Sequence, residues 1–316
     1  MSKKEAEFID RNCCINCGSN KLVKLSSGLF GNDPLRGLIE NDPWGESPIP
    51  YIENKKWLFA RCEDCNQMFH RYVLSPKWNK IRFTSWMSQE AIEKFEASTN
   101  MPENRFNKTV SHVQHVLRLE KMTRDIRGKA PVRLLDFGCG WGGFLNTADH
   151  FGFVGYGIDR SFDRRKLGQH ASIFQNINEL INETEPNISF HAISLFEVLE
   201  HLDDPLTTLQ SLSKLMVTGG ILILETPDCT GCTSVTDMSS YRKIHPLDHI
   251  NAFTSDTIIS IAGRAGFSVI KPSISHVTVY RSKVIKSELK QLLHGIIRVN
   301  TQKYFYKTCK PHTKHI

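Results

Sequence analysis

Apolar positions along this chain fall into two rhythms. Short apolar runs bounded by Gly, Pro, Asn or Asp read as buried strands near 132–136, 153–158, 172–175, 190–195 and 220–225, with helix-period segments between them. That alternation predicts an α/β fold built on a doubly wound, mostly parallel sheet. A last pair of strands, near 267–271 and 274–281, flanks Lys271-Pro272-Ser273 and reads as a closing hairpin. Asp204-Pro205 supplies a start for a helix over roughly 205–216. Upstream, residues 88–128 read as helical. Ser88 with Glu90, and Asn104, are candidate starts, and Val110, Val113, Val116, Leu117, Leu119 and Met122 recur at helical spacing.

The first 80 residues follow neither rhythm. Strand-like pieces at 21–25, 56–62 and 69–74 are separated by Ser26 to Pro50, whose composition is that of a loop. The chain therefore divides into a small module at 1–80, a helical connector at 81–130, an α/β domain at 131–281 and a tail at 282–316.

Chemistry enters at Leu134-Leu135-Asp136-Phe137-Gly138-Cys139-Gly140-Trp141-Gly142-Gly143, an apolar strand running into a glycine-rich turn. About twenty residues later a second strand ends in Asp159-Arg160, where a carboxylate is placed to meet a ribose hydroxyl pair. Together they predict a nucleoside-bearing cofactor at the carboxyl ends of a parallel sheet. Gly138, Gly140 and Gly143 satisfy a dinucleotide pattern, but Asp136 would repel a pyrophosphate. The same charge favours a cofactor with a sulfonium and an ammonium. Two further segments follow: Phe190–Phe196 running into Glu197-Val198-Leu199-Glu200-His201-Leu202-Asp203-Asp204-Pro205, and Gly219-Gly220-Ile221-Leu222-Ile223-Leu224-Glu225-Thr226-Pro227.

In that order and spacing, the segment from about Val132 to Tyr280 resembles the class I S-adenosylmethionine (SAM)-dependent methyltransferases. The likeness is greatest to the branch holding the ubiquinone-pathway O-methyltransferases and the sugar and natural-product enzymes. The resemblance implies a seven-stranded Rossmann-like sheet and a set of SAM contacts. Phe137, Gly138, Cys139 and Gly140 would line the methionine and ribose. Asp136 would hold the ammonium and Asp159, with Arg160 beside it, the ribose hydroxyls. Asn176 would meet the adenine, and Phe196 and Glu197 would lie near the transferred methyl.

Methyl transfer from a sulfonium needs alignment and, for a hydroxyl acceptor, a base. His201 is the best candidate, because an imidazole titrates near working pH. Glu200 would orient it, and His245 and His249 in the segment 241–253 are further candidates. Glu197, Glu200 and His201 with a later His also resemble the metal-binding pattern of small-RNA 2′-O-methyltransferases, which implies Mg²⁺ or a similar ion there. A nucleobase-amine methylase would show Asp/Asn-Pro-Pro-aromatic where this chain has Phe196-Glu197-Val198-Leu199, so an oxygen or carbon acceptor fits better.

Six of nine cysteines form C-x-x-C pairs: Cys14/Cys17, Cys62/Cys65 and Cys229/Cys232. The first two pairs can enclose a structural Zn²⁺, although 44 residues separate the knuckles where ribbons usually have roughly fifteen to twenty. The module resembles the N-terminal zinc-binding part of some sugar C-methyltransferases. Cys229 and Cys232 are too few for a metal alone.

The net charge of +7 is concentrated in residues 281–316, which carry nine Lys or Arg against Glu288. The near-neutral remainder argues against a nucleic-acid groove. The tail has apolar residues at helical spacing (Ile285, Leu289, Leu292, Ile296) and could meet an anionic membrane surface or a partner protein. With no apolar run of about 18 residues and no signal-like N-terminus, a cytoplasmic protein is expected. The leading expectation is a zinc-bearing SAM-dependent methyltransferase acting on a small-molecule or glycan-precursor acceptor at oxygen or carbon. A metal-assisted RNA 2′-O-methyltransferase and a non-catalytic zinc and partner-binding protein are the alternatives.

Overall fold

The computed structural model describes residues 5–42, 44–87, 91, 102–161, 172–270 and 300–307. Its strands, in chain order, are β1 (Phe8–Asp10), β2 (Leu22–Leu29), β3 (Lys56–Cys62), β4 (Met68–His70), β5 (Tyr72–Leu74), β6 (Arg133–Phe137), β7 (Val154–Ile158), β8 (Ile173–Phe174), β9 (Phe190–Phe196), β10 (Met216–Pro227), β11 (Asn251–Ala252), β12 (Phe267–Ile270) and β13 (Asn300–Lys307). They are shared between two compact units. The first comprises Met1–Arg105, Glu200–Pro205 and Pro227–Thr257; the second comprises Phe106–Leu199, Leu206–Thr226 and Ile258–Ile316. This partition differs from four consecutive segments, because two stretches of the expected α/β domain fold with the N-terminal residues.

In the second unit, five parallel strands run in the order β8-β7-β6-β9-β10, and the antiparallel pair β13-β12 extends the β10 edge. The chain moves outward from β6 through β7 to β8, then returns to place β9 on the other side of β6. Such a reversal opens a crevice at the carboxyl ends of the two central strands. Apolar runs rather than alternation mark these strands because both faces are covered. Leu134, Leu145, Ala192 and Ile223 are fully buried. The helix Pro102–Met122 adds Val116 and Leu119 to that core, and a helix over Arg124–Arg127 follows, ended by Gly128. The described part of this helix already includes Pro102, ahead of the expected start at Asn104, and residues 88–90 and 92–101 lie outside the described residues.

The hairpin expected over 267–281 is half found. β12 is present, but its antiparallel partner is β13, with Phe267 opposite Lys307 and Ile270 opposite Tyr304. Residues 274–281 and the amphipathic stretch 282–299 lie outside the described residues.

The first unit holds a four-stranded antiparallel sheet in the order β11-β4-β3-β2, and a separate β1-β5 pair. The stretch 26–50 is not the loop its composition suggests. Its start completes β2, and helices form at Leu35–Glu40 and Ile49–Ile52. Phe30 and Ile39 from this region, and Ile52 just after it, are fully buried with Phe59, Trp86 and Ile244. β11 joins the sheet from far along the chain, pairing Asn251 with Phe69. Arg11 fastens that junction, donating to Asn251 Oδ1 (2.8 Å) and to the carbonyls of His70 (2.6 Å) and Ile250 (2.7 Å).

Candidate active site

The crevice of the second unit is shaped by the turn from β6 into the helix Gly143–Asp149. Gly138 has φ +81°, and a Cβ there would overlap Val198 Cγ2, so only glycine fits. Gly140, at φ +56°, has open space where a Cβ would stand, which leaves its backbone approachable. The turn is fastened to the end of β7. Gly138 and Cys139 both donate their N–H groups to the Ile158 carbonyl (2.7 and 3.1 Å), and Gly140 N–H donates to Asp159 Oδ2 (2.9 Å). Asp159 Oδ1 accepts from Ser161 N–H (2.8 Å). A carboxylate has about four acceptor positions, two on each oxygen.

Asp136, at the end of β6, is 3% exposed and accepts the Ser194 hydroxyl at 2.7 Å. Burial raises its carboxyl to about 7, against the Ser194 hydrogen bond and with the Asp159 charge. A ligand cation beside it would hold it ionised. Beyond the turn stands an aromatic wall: Phe196 lies 5.0 Å from Phe144 and 5.1 Å from His115 between ring centroids, and His112 lies 5.3 Å from Phe144. Burial pushes His112 down to about 4 and His115 to about 3, with Lys108 and Arg118 adding to the effect, so both rings are neutral.

The first unit carries its own titratable group. His201 Nδ1 lies 3.1 Å from Asp248 Oδ1 and 3.0 Å from the Asp248 carbonyl, and Arg82 also donates to Asp248 Oδ1. Glu200 Oε1 is 3.9 Å from His201 Nε2, and the His249 ring centroid is 4.8 Å from that of His201. Burial opposes charge on His201, but Asp248 and then Glu200 outweigh it and raise the imidazole to about 9. His249 goes the other way. Burial and then the His201 charge lower it to about 3, and its buried Nδ1 meets no hydrogen-bond partner among the described residues.

In the same unit, Cys14 Sγ lies 3.5 Å from Cys65 Sγ and Cys17 Sγ 3.5 Å from Cys62 Sγ, all four within 4.8 Å of one another. A tetrahedron of thiolates about 2.3 Å from a Zn²⁺ has edges of about 3.8 Å, so this donor set fits that ion. The long insertion between the knuckles is no obstacle. β2 begins just after the first knuckle and β3 ends in the second, with Leu22 opposite Cys62, so the hairpin returns one pair to the other.

A family model described as a methyltransferase domain matches residues 111–271, which is half of the chain. The chain belongs to this methyltransferase family. It is 29% identical over 157 residues to a ubiquinone biosynthesis O-methyltransferase of Glaesserella parasuis, across 44% of this chain and 64% of that protein. For the enzyme of the same description from Haemophilus ducreyi the identity is 27% over 154 residues, with the same shares. The chain thus spans just under two thirds of these curated relatives. Among solved structures, the plantazolicin methyltransferase BpumL in complex with a monoazolic desmethylPZN analog and SAH aligns with a TM-score of 0.48 at 14% identity, over 73% of this chain and 94% of that one. A SAM-dependent methyltransferase from Mesorhizobium loti aligns at 0.41 and 14%, over 56% and 92%.

Within this methyltransferase, Asp136, Phe137, Gly138, Cys139, Gly140 and Asp159 come together around one turn, and Arg160 is exposed beside them. Asn176 is exposed and caps the helix Ile177–Glu183, its Oδ1 accepting Glu179 N–H at 3.0 Å. The residue type at 176 is therefore accounted for by the cap. Glu197 does not join the ligand set foreseen for a divalent ion. It is exposed at the end of β9 with φ +53°, and the side chains that gather around Glu200 and His201 include His249 instead. His112 and His115 were not foreseen. Their sequence signal is two imidazoles three residues apart inside the apolar face of the Pro102–Met122 helix. No helix among the described residues is long and apolar enough to cross a membrane.

Proposed function

We propose that this methyltransferase acts on an oxygen of a small-molecule or glycan-precursor acceptor. In this reading Asp136 pairs with the SAM ammonium, which returns its raised carboxyl to the ionised state. Asp159 receives the ribose hydroxyls with the oxygens already aimed by Gly140 and Ser161. The turn at Gly138–Gly140 approaches the cofactor with its backbone, Phe196 walls the sulfonium end, and the amide NH₂ of Asn176 faces the adenine. When bound, SAM supplies an electrophilic methyl group.

The observation that supports an oxygen acceptor is the pairing of a neutral His249 with a protonated His201 and Glu200. An acceptor hydroxyl becomes strongly acidic as its bond to carbon forms, so even a weakly basic imidazole suffices to take the proton. His249 Nδ1 would receive it, while Asp248 fixes the orientation of His201 and Glu200 balances the charge. Cys14, Cys17, Cys62 and Cys65 hold Zn²⁺ in this reading, with a structural role, because four thiolates leave no position open.

Carbon-13 methyl-labelled SAM, supplied with a glycan-precursor and small-metabolite pool, tests the proposal by NMR of the product. A methoxy resonance is expected, reduced roughly 10²–10⁴-fold in rate by His249→Ala. A C-methyl resonance, or full activity of His249→Ala, would refute the oxygen assignment.

A further inference from the structure

The third cysteine pair takes no part in the zinc set or in the proposed acid–base group. Cys229-Thr230-Gly231-Cys232 forms a tight turn: Cys232 N–H donates to the Cys229 carbonyl at 3.0 Å, and Gly231 has φ +81°. A turn closed in this way keeps its first and fourth Cα atoms within about 7 Å, which overlaps the span a disulfide bridges. The Asp228 carboxylate rigidifies it, accepting from Thr230 N–H (3.0 Å) and from the Thr230 hydroxyl (2.6 Å).

The two thiols differ in access. Cys229 is 1% exposed, while Cys232 is half-buried and Thr230 and Gly231 beside it are exposed. Cys229 has the carbonyls of Pro227 and Lys243 within 3.6 Å of its sulfur. We propose that Cys229 and Cys232 form a reversible thiol–disulfide site, with Cys232 as the attacking sulfur, Cys229 as the resolving one and a small disulfide as the oxidant. The neighbouring Cys229 thiol, helped by the Lys243 charge, brings Cys232 down to about 7, while the Cys232 thiol and burial raise Cys229.

The chemistry balances in two exchanges. Cys232 thiolate attacks one sulfur of glutathione disulfide, forming a mixed disulfide and releasing one glutathione thiolate. Cys229 then attacks the Cys232 sulfur, breaking the mixed disulfide and releasing the second glutathione, while the Cys229 proton passes to solvent or to the leaving thiolate. Two protein thiols and one glutathione disulfide become one protein disulfide and two glutathione thiols. Oxidation removes the S–H group that faces the Lys243 carbonyl, at the end of the helix Met238–Lys243. That helix leads into the segment carrying His249, so on the functional reading above the disulfide lowers turnover and leaves SAM affinity unchanged.

The test is peptide mapping by mass spectrometry of the zinc-supplied full chain after exposure to glutathione disulfide and alkylation. The expected result is a Cys229–Cys232 peptide that escapes alkylation, two hydrogens lighter, and is restored by dithiothreitol. Cys229→Ser should stop at a glutathione adduct on Cys232, and Cys232→Ser should leave Cys229 unmodified. A wild-type peptide alkylated at both positions, or an adduct formed on Cys229 rather than Cys232, would overturn the proposal. This readout requires no methyl acceptor, so it stands or falls apart from the acceptor assignment.

Discussion

Gly138 couples the cofactor turn to the segment after β9, because any Cβ at its φ of +81° would overlap Val198 Cγ2. Gly138→Ala is expected to cost about 2 kcal/mol or more, from overpacking and the left-handed backbone together. Val198→Ala in the same chain should recover the steric part, a coupling that denaturant titration of the single and double variants would reveal. A second residue-scale consequence concerns His201. Its folded pKa of about 9 lies above the ordinary 6.5, so its contribution to stability is complete below pH 6.5 and is lost as pH rises through 9. Thermal denaturation from pH 6 to 10 should show that alkaline decline in the wild type and not in His201→Gln. The sequence makes His201 the natural base, since an isolated imidazole titrates near neutrality. The structure reverses that order: Asp248, 47 residues away, holds a proton on His201, and no spacing rule connects the two.

At the scale of elements, the strands of the parallel sheet were legible because they are buried on both faces and therefore uninterrupted by polar residues. β9 and β10 fall at their expected places, β10 extending further on both sides, to Met216 and Pro227. The 26–50 stretch was misjudged because its Gly, Pro and Asn content hides single apolar anchors such as Phe30 and Ile39, which are buried only through tertiary packing. β13 was hidden for a different reason. Residues 300–307 read as part of a basic tail, and their pairing with β12 joins residues that the sequence separates widely, as Ile270 and Tyr304. The β2–β3 hairpin is the element that gathers the four cysteines, so it also carries a prediction. Chelation of Zn²⁺, or Cys62→Ser, should lower the melting of the N-terminal unit by an amount on the order of 10 °C or more. SAM affinity should persist, because the residues assigned to SAM all belong to the other unit; calorimetry on the chelated protein measures this.

At the scale of the whole chain, each unit is assembled from stretches that the sequence separates. The N-terminal unit recruits Glu200–Pro205 and Pro227–Thr257, which interrupt the methyltransferase sheet in sequence. The half assigned to SAM was legible as a motif order, because a turn, a carboxylate and two strand ends are local signals. Recruitment of β11 to β4 was not legible, since two residues carry no periodicity. The central claim is that SAM binds at the carboxyl ends of β6 and β7, with Asp159 as the ribose acceptor. Calorimetric titration with SAM, and separately with NAD, tests it most directly. The account predicts SAM binding, no NAD binding, and a loss of about tenfold or more in SAM affinity for a folded Asp159→Ala variant. Folded wild-type protein that binds no SAM, or an Asp159→Ala variant that binds it equally well, would contradict the account.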